Sequence, residues 1–118
     1  MSSLRTVPPS EWRPFFDRMS RGLLGRLAEI EVASLDLGDQ VVAEWIPLFG
    51  ITYDAQDNSL DVVLDRATHV IRQPREIAVE ETADGLSSVA VVDEAGERQV
   101  IRLKQPLKLP AAATSSSR

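Results

Sequence analysis

The chain contains no cysteine, which removes disulfides, thiol catalysis and thiolate metal sites together. That absence suits a reducing compartment, and a cytoplasmic location is the expectation. Histidine occurs once, as His69, so any role for an imidazole as general base or metal ligand falls on that residue. The opening stretch "MSSLRTVPPSEW" has no apolar core of signal-peptide length. No later apolar run approaches the roughly 20 residues of a membrane-spanning helix, so a soluble protein without a membrane partner is expected. Glycine-rich phosphate loops are missing too. Gly22 and Gly25 follow a helical pattern rather than a strand, so neither a P-loop nor a dinucleotide fingerprint exists, and no cofactor is expected.

Bases are absent from one long stretch. From Leu27 to Asp65 there are nine acids and no Lys or Arg, whereas Met1 to Arg26 carries five arginines against two acids. From Arg66 onward eight bases meet seven acids, and the whole chain has a net charge of −5. An acidic middle of this kind repels phosphate backbones and makes nucleic acid an unlikely partner.

What is present describes one globular domain. The 118 residues are 43% hydrophobic and 26% charged, and a chain of this size buries roughly two-thirds of the surface its unfolded form exposes. The pattern places a flexible lead-in at 1–9, a single helix-plus-β domain at 10–106, and a disordered tail at 107–118.

From Ser10 the hydrophobic period is helical. Trp12, Phe15, Phe16, Met19 and Leu23 fall on one stripe, with Arg13, Asp17, Ser20 and Arg21 opposite. Ser10 is a candidate cap, Pro14 falls in the first turn, and Gly22 is the expected stop. After Gly25 the period changes to two. Ala28, Ile30 and Val32 alternate with Glu29 and Glu31, and "LDLGDQ" reads as a turn on Gly38 and Asp39. "QVVAEWIPLFGI" is extended but carries Pro47, which points to a strand end, bulge or edge. "ITYD", "AQDN" and "SLDVVLD" form a hairpin with Leu60, Val62 and Leu64 on one face and Asp61 and Asp65 on the other. "EIAVEET" alternates around Ile77 and Val79. "LSSVAVVDEAGERQVIRLK" is a second hairpin, turning at Asp93 to Gly96.

The expected fold is therefore mainly β within the α+β class. One N-terminal amphipathic helix packs on a curved antiparallel sheet or small half-open barrel of six to seven short strands. A helix with two Phe, a Trp, a Met and a Leu on one stripe suits the role of a lid, since apolar residues at helical spacing are usually core.

Four stretches also resemble a family of small bacterial single-domain proteins catalogued only as a domain of unknown function. They are "EWRPFFDRMSR", "IPLFGITYDAQDNSLDVVL", "HVIRQPREIAVEE" and "DEAGERQVIRLKQP". The resemblance runs from about Val7 to Pro106. Its most specific pieces are Trp12, Phe15, Phe16 and Asp17, the Pro47 to Ile51 turn, the Tyr53 and Asp54 pair, and His69 followed by Pro74. It implies a soluble bacterial protein and no activity.

Chemistry, if present, centres on "YDAQDNSLD". Asp54, Asp57 and Asp61 are candidate metal ligands, because hard cations take several carboxylate and carbonyl oxygens. The spacing departs from an EF-hand, which needs alternate ligands, a glycine at the sixth position and a glutamate at the twelfth. A hairpin turn with Asp and Asn bonded to their own backbone is the plainer reading. His69 and Asp61 are the catalytic candidates, although no nucleophile elbow accompanies them. Arg13, Arg18, Arg21 and Arg26 make a solvated basic face or lie over the acidic strands from Glu29 to Glu44.

Three functions follow in order. The first is a non-catalytic binding or scaffold module that meets a protein partner, or another copy of itself, through an uncovered sheet edge. The second is a metal-dependent or His/Asp-dependent enzyme built on Asp54, Asp57, Asp61 and His69. The third is a small RNA-binding barrel using the basic helix face.

Overall fold

The computed structural model describes residues 3–34 and 38–108. In chain order it contains β1 (Ser3–Val7), a 3-10 turn (Pro9–Glu11), α1 (Trp12–Leu23), β2 (Leu27–Ser34) and β3 (Gly38–Asp54). Five more strands follow: β4 (Ser59–Leu64), β5 (Ala67–Arg72), β6 (Pro74–Thr82), β7 (Gly85–Asp93) and β8 (Arg98–Leu107). Every pairing is antiparallel, and the hydrogen-bonded order is β1-β6-β7-β8-β2-β3-β4-β5. The sheet does not close, so β1 and β5 are its two outer strands.

Helix α1 forms where the apolar spacing places it. Pro14 sits in its first turn, where the missing N–H has no intrahelical acceptor. Ser10 makes no capping bond. The chain enters the helix through the 3-10 turn, with the Glu11 N–H donating to Pro8 O at 2.8 Å, and the buried Trp12 Nε1–H donates to Val7 O at 2.8 Å. Gly22 does not end the helix. It lies inside the last turn, where its bare Cα lets Leu107 pack closely: an added Cβ would fall 2.8 Å from Leu107 Cδ1. The chain turns at Gly25 instead, at φ +85°.

The apolar stripe is consumed inside. Trp12, Phe15, Phe16, Met19 and Leu23 are all buried in one cluster with residues from every strand, including Ile30, Leu48, Leu60, Ile71, Ile77 and Ile101. Each such side chain contributes about 1.5 to 3 kcal/mol by area. Trp12 meets Tyr53 edge to face at 5.1 Å, and Phe15 meets Phe16 likewise at 5.2 Å.

The strand number, the two terminal boundaries and the region around Pro47 also differ from expectation. The strands number eight among the described residues, against six to seven expected, partly because Ser3–Val7 pairs with β6 where a flexible lead-in was expected. A five-residue strand with one buried residue leaves little alternation to read. Leu107, assigned above to the tail, is buried and ends β8. The disorder expected beyond it falls on residues 109–118, outside the described residues, as do 35–37 of the first expected turn. Finally, of the strand end, bulge or edge expected at Pro47, the strand end is not found: β3 runs 17 residues through Pro47 and through the expected Pro47 to Ile51 turn, with register irregularities between Ala43 and Ile46 and between Leu48 and Gly50. Pro47 is the last β3 residue paired with β2, and Leu48 is the first paired with β4. A residue without an N–H is tolerated at this changeover, and its carbonyl accepts from Asp65 N at 2.9 Å.

Candidate functional site

The acidic turn after β3 is satisfied internally. Asp54 Oδ1 accepts from the backbone N–H groups of Gln56 and Asp57 at 3.0 and 3.3 Å, an Asx-turn arrangement, and Asn58 supplies the left-handed residue at φ +49°. Tyr53 Oη donates to Asn58 Oδ1 at 2.8 Å, and Ser59 Oγ donates to Asp61 Oδ1 at 3.3 Å. Asp54 and Asp61 do line one concavity, together with Arg13 and Asp17 from α1. Asp57 is exposed and not part of that lining. Among the described residues, no group of three or more His, Asp or Glu side chains is arranged to hold a metal ion.

His69 is not brought to Asp61. In the β4–β5 ladder Val62 stands opposite His69 and Asp61 opposite Val70, and directly paired residues share a face. The imidazole therefore shares the inner face of buried Val62, while Asp61 is on the other side of the sheet. There His69 Nε2 lies 2.6 Å from Oε1 of Gln99, a buried residue of β8. An amide oxygen only accepts, so Nε2 carries the proton in this arrangement. Asp65, the other acid near His69 in sequence, uses its N–H on Pro47 O and has no bond to the ring.

Of the two readings of the basic helix face, solvation fits Arg13 and Arg21, which are exposed, and among the described residues no neutralisation of the acidic strands by that face is seen. None of Arg13, Arg18, Arg21 and Arg26 pairs with an acid among the described residues. The acids of β2 are met from the neighbouring strand instead: Arg102 Nη1 donates to Glu31 Oε1 at 2.6 Å and to Glu29 Oε1 at 3.3 Å. The hydrogen bond to Glu31 holds the Arg102 guanidinium above the ordinary arginine value; burial works against it, and the charges of Glu31 and Glu29 add to it.

The surface feature that stands out is an uncovered strand edge. β3 has β2 along one side up to Pro47, and then Ser20, whose hydroxyl bonds both backbone groups of Ile51, accepting at 2.9 Å and donating at 2.8 Å. Its other side is covered by β4 only from Leu48 onward, and among the described residues no strand pairs with that side over 38–46. Val41 and Val42 are 53% and 51% exposed, and Val42 is the extra residue of a bulge, since Glu31 pairs with Val41 and Ile30 with Ala43. This part of β3 is therefore largely open to solvent, although Ala43 within it is buried. The residues of β2 and β3 include Glu29, Glu31, Asp39 and Glu44 and no Lys or Arg. Sequence reasoning missed this edge because it divided β3 at Pro47. The available signal was a length mismatch: the eight residues of β2 cannot cover a partner extended to Asp54.

Residues 3–112 match the model of a family described as a family of unknown function, DUF5335. An uncharacterized protein of the bacterium Aquifex aeolicus (strain VF5) is 34% identical over 107 residues, spanning 90% of this chain and 96% of that protein. No solved structure matches. No helix among the described residues is long and apolar enough to cross a membrane.

Proposed function

The chain belongs to the DUF5335 family of unknown function, and from that premise we propose that it is a non-catalytic binding module. In this reading its working element is the free side of β3 over residues 38–46. The occupant is a basic extended segment of a partner protein, added as a further strand. The observation that carries the reading is a long unpaired backbone edge with two exposed valines at its centre. Such an edge is a template for strand addition, which here has to accommodate the irregularities of β3 at Val42 and between Ala43 and Ile46. Charge selects the occupant. Neither β2 nor β3 contains a base, and a second copy paired here with Val41 opposite Val42 would put Asp39 opposite Glu44.

We place this single domain in the cytoplasm, in keeping with the lack of cysteine, and read its curved sheet as a half-open barrel lidded by α1. Nucleic acid is disfavoured by the acidic middle. The His/Asp or metal-dependent alternative is disfavoured because Asp61 and His69 lie on opposite faces.

The test is titration with a short peptide alternating Lys and Val, followed by backbone hydrogen exchange. Binding should protect amides within 38–46 and be lost in an Asp39→Lys/Glu44→Lys variant that melts like the parent. No protection there, or undiminished binding by that variant, refutes the reading. A mass in solution that rises with concentration through this edge would assign it to self-association instead.

A further inference from the structure

At the end of β3 where it leaves β2, a second surface carries the opposite charge. A concavity of about 620 Å³ is lined by Leu24, Gly25, Arg26, Leu27, Lys104 and Gln105. The chain builds it by turning sharply after α1: Gly25 N donates to Leu48 O and Leu48 N donates to Arg26 O, both at 2.8 Å, which locks the turn against β3. Leu24, at the lip, is 70% exposed. Arg26 is oriented by main-chain carbonyls alone, through Nε to Gly22 O at 3.3 Å and Nη1 to Pro106 O at 3.4 Å. Lys104 Nζ sits 5.7 Å from the centroid of the Trp45 ring. Neither cation has a carboxylate partner among the described residues. Trp45 itself is held at φ +51°, a conformation that a bulky residue adopts only when its surroundings impose it. The result is two oriented, uncompensated cations beside an aromatic ring and an exposed leucine, on a protein of net charge −5.

We infer that this cleft binds an acidic, apolar-bearing segment of a partner protein, with a carboxylate received between Arg26 and Lys104 and an apolar side chain against Leu24 and Leu27. Charge complementarity names the occupant: the charged side chains lining the cleft, Arg26 and Lys104, are both positive, each with donors to spare. A recessed cleft suits an inserted side chain better than a flat surface. A bilayer of anionic lipid would face the whole molecule, including the stretch from Leu27 to Asp65 that holds nine acids and no base, and would be repelled by it. A short segment meets the cleft alone. The cleft adjoins the free edge of β3 at Trp45, but its two cations, Arg26 and Lys104, lie outside that edge.

The test uses the full chain and a short peptide alternating Glu and Leu, with a Gln-for-Glu peptide as control. Binding is followed by calorimetry and by tryptophan emission, since Trp45 is partly exposed beside Lys104 whereas Trp12 is buried. The Glu peptide should bind and change the emission, and the change should disappear in Trp45→Phe. Lys104→Glu and Leu24→Asp, both exposed positions, should each weaken binding about tenfold or more while melting like the parent. Raising salt to about 0.5 M should weaken it as well, because exposed charges are then screened. Asp39→Lys, at the end of the edge away from Trp45, should leave it unchanged. Equal binding of the Gln peptide, or undiminished binding by Lys104→Glu, overturns the inference. So does preferential binding to phosphatidylglycerol vesicles, which would assign the surface to a bilayer. A mass that rises with concentration and is abolished by Lys104→Glu would give the cleft to a second copy and overturn it equally.

Discussion

Replacing Phe16 by alanine tests whether α1 is a lid or a displayed recognition helix. Phe16 is fully buried and meets Phe15 edge to face at 5.2 Å and 84°. Truncating a buried Phe destabilises by about 3 to 5 kcal/mol through lost transfer energy and the cavity left behind. The aromatic pair accounts for about 0.5 to 1.5 kcal/mol of that range. At roughly 0.05 to 0.15 kcal/mol per residue, a domain of this length has about 6 to 18 kcal/mol in total, so the variant should still fold. Urea unfolding should show the midpoint falling at unchanged m-value, with Tm lower by about 10 to 20 °C. Leu24→Ala, one residue beyond the helix and 70% exposed, is the control and should change stability by less than about 0.5 kcal/mol. A loss below about 1 kcal/mol for Phe16→Ala, or an equal loss for Leu24→Ala, would refute the lid and return the apolar stripe to the surface.

Gly85→Ala should destabilise by about 2 kcal/mol or more, because φ is +127° and the new Cβ would lie 2.4 Å from Leu107 O, whereas Gly96→Ala, at φ +85° with nothing within 4 Å, should lose only about 1 kcal/mol; similar melting temperatures for the two would contradict this packing. Arg102→Gln should lose under about 1 kcal/mol, since the side chain is 44% exposed and screened, and salt should narrow the difference. Its raised pKa means that its contribution is complete below the ordinary arginine value and falls only above it, so parent and variant should differ by a constant amount across about pH 6 to 9; a difference that changes in that window would show that another group is involved. Calcium, magnesium, manganese or zinc should leave Tm unmoved, because Asp54 is already bonded to its own turn and Asp61 to Ser59; a metal-dependent rise abolished by Asp54→Asn would restore the cation site.

The local elements were legible because their patterns are local. The stripe from Trp12 to Leu23 needs only helical spacing, and the alternations at 28–32, 60–64 and 89–101 need only a strand with one wet face. β1 and the last turn of β8 were not legible, since what holds Ser3–Val7 and Leu107 is contact with residues far away in the chain. The candidate chemistry split in the same way. The turn at Asp54 was readable from Asp and Asn at turn spacing. Which face His69 occupies depended on its register against Val62, and one step of register exchanges the faces.

Composition and period alone therefore determined the fold class, the single helix, the buried stripe and the acidic middle, because each follows from residue type and near-neighbour spacing. Tertiary structure decided where β3 gains and loses its neighbours, that Gly22 serves close packing rather than helix termination, and that Arg26 and Lys104 share a cleft. These depend on pairings between segments tens of residues apart, and a chain's sequence periodicity holds no record of which remote segment lies beside it.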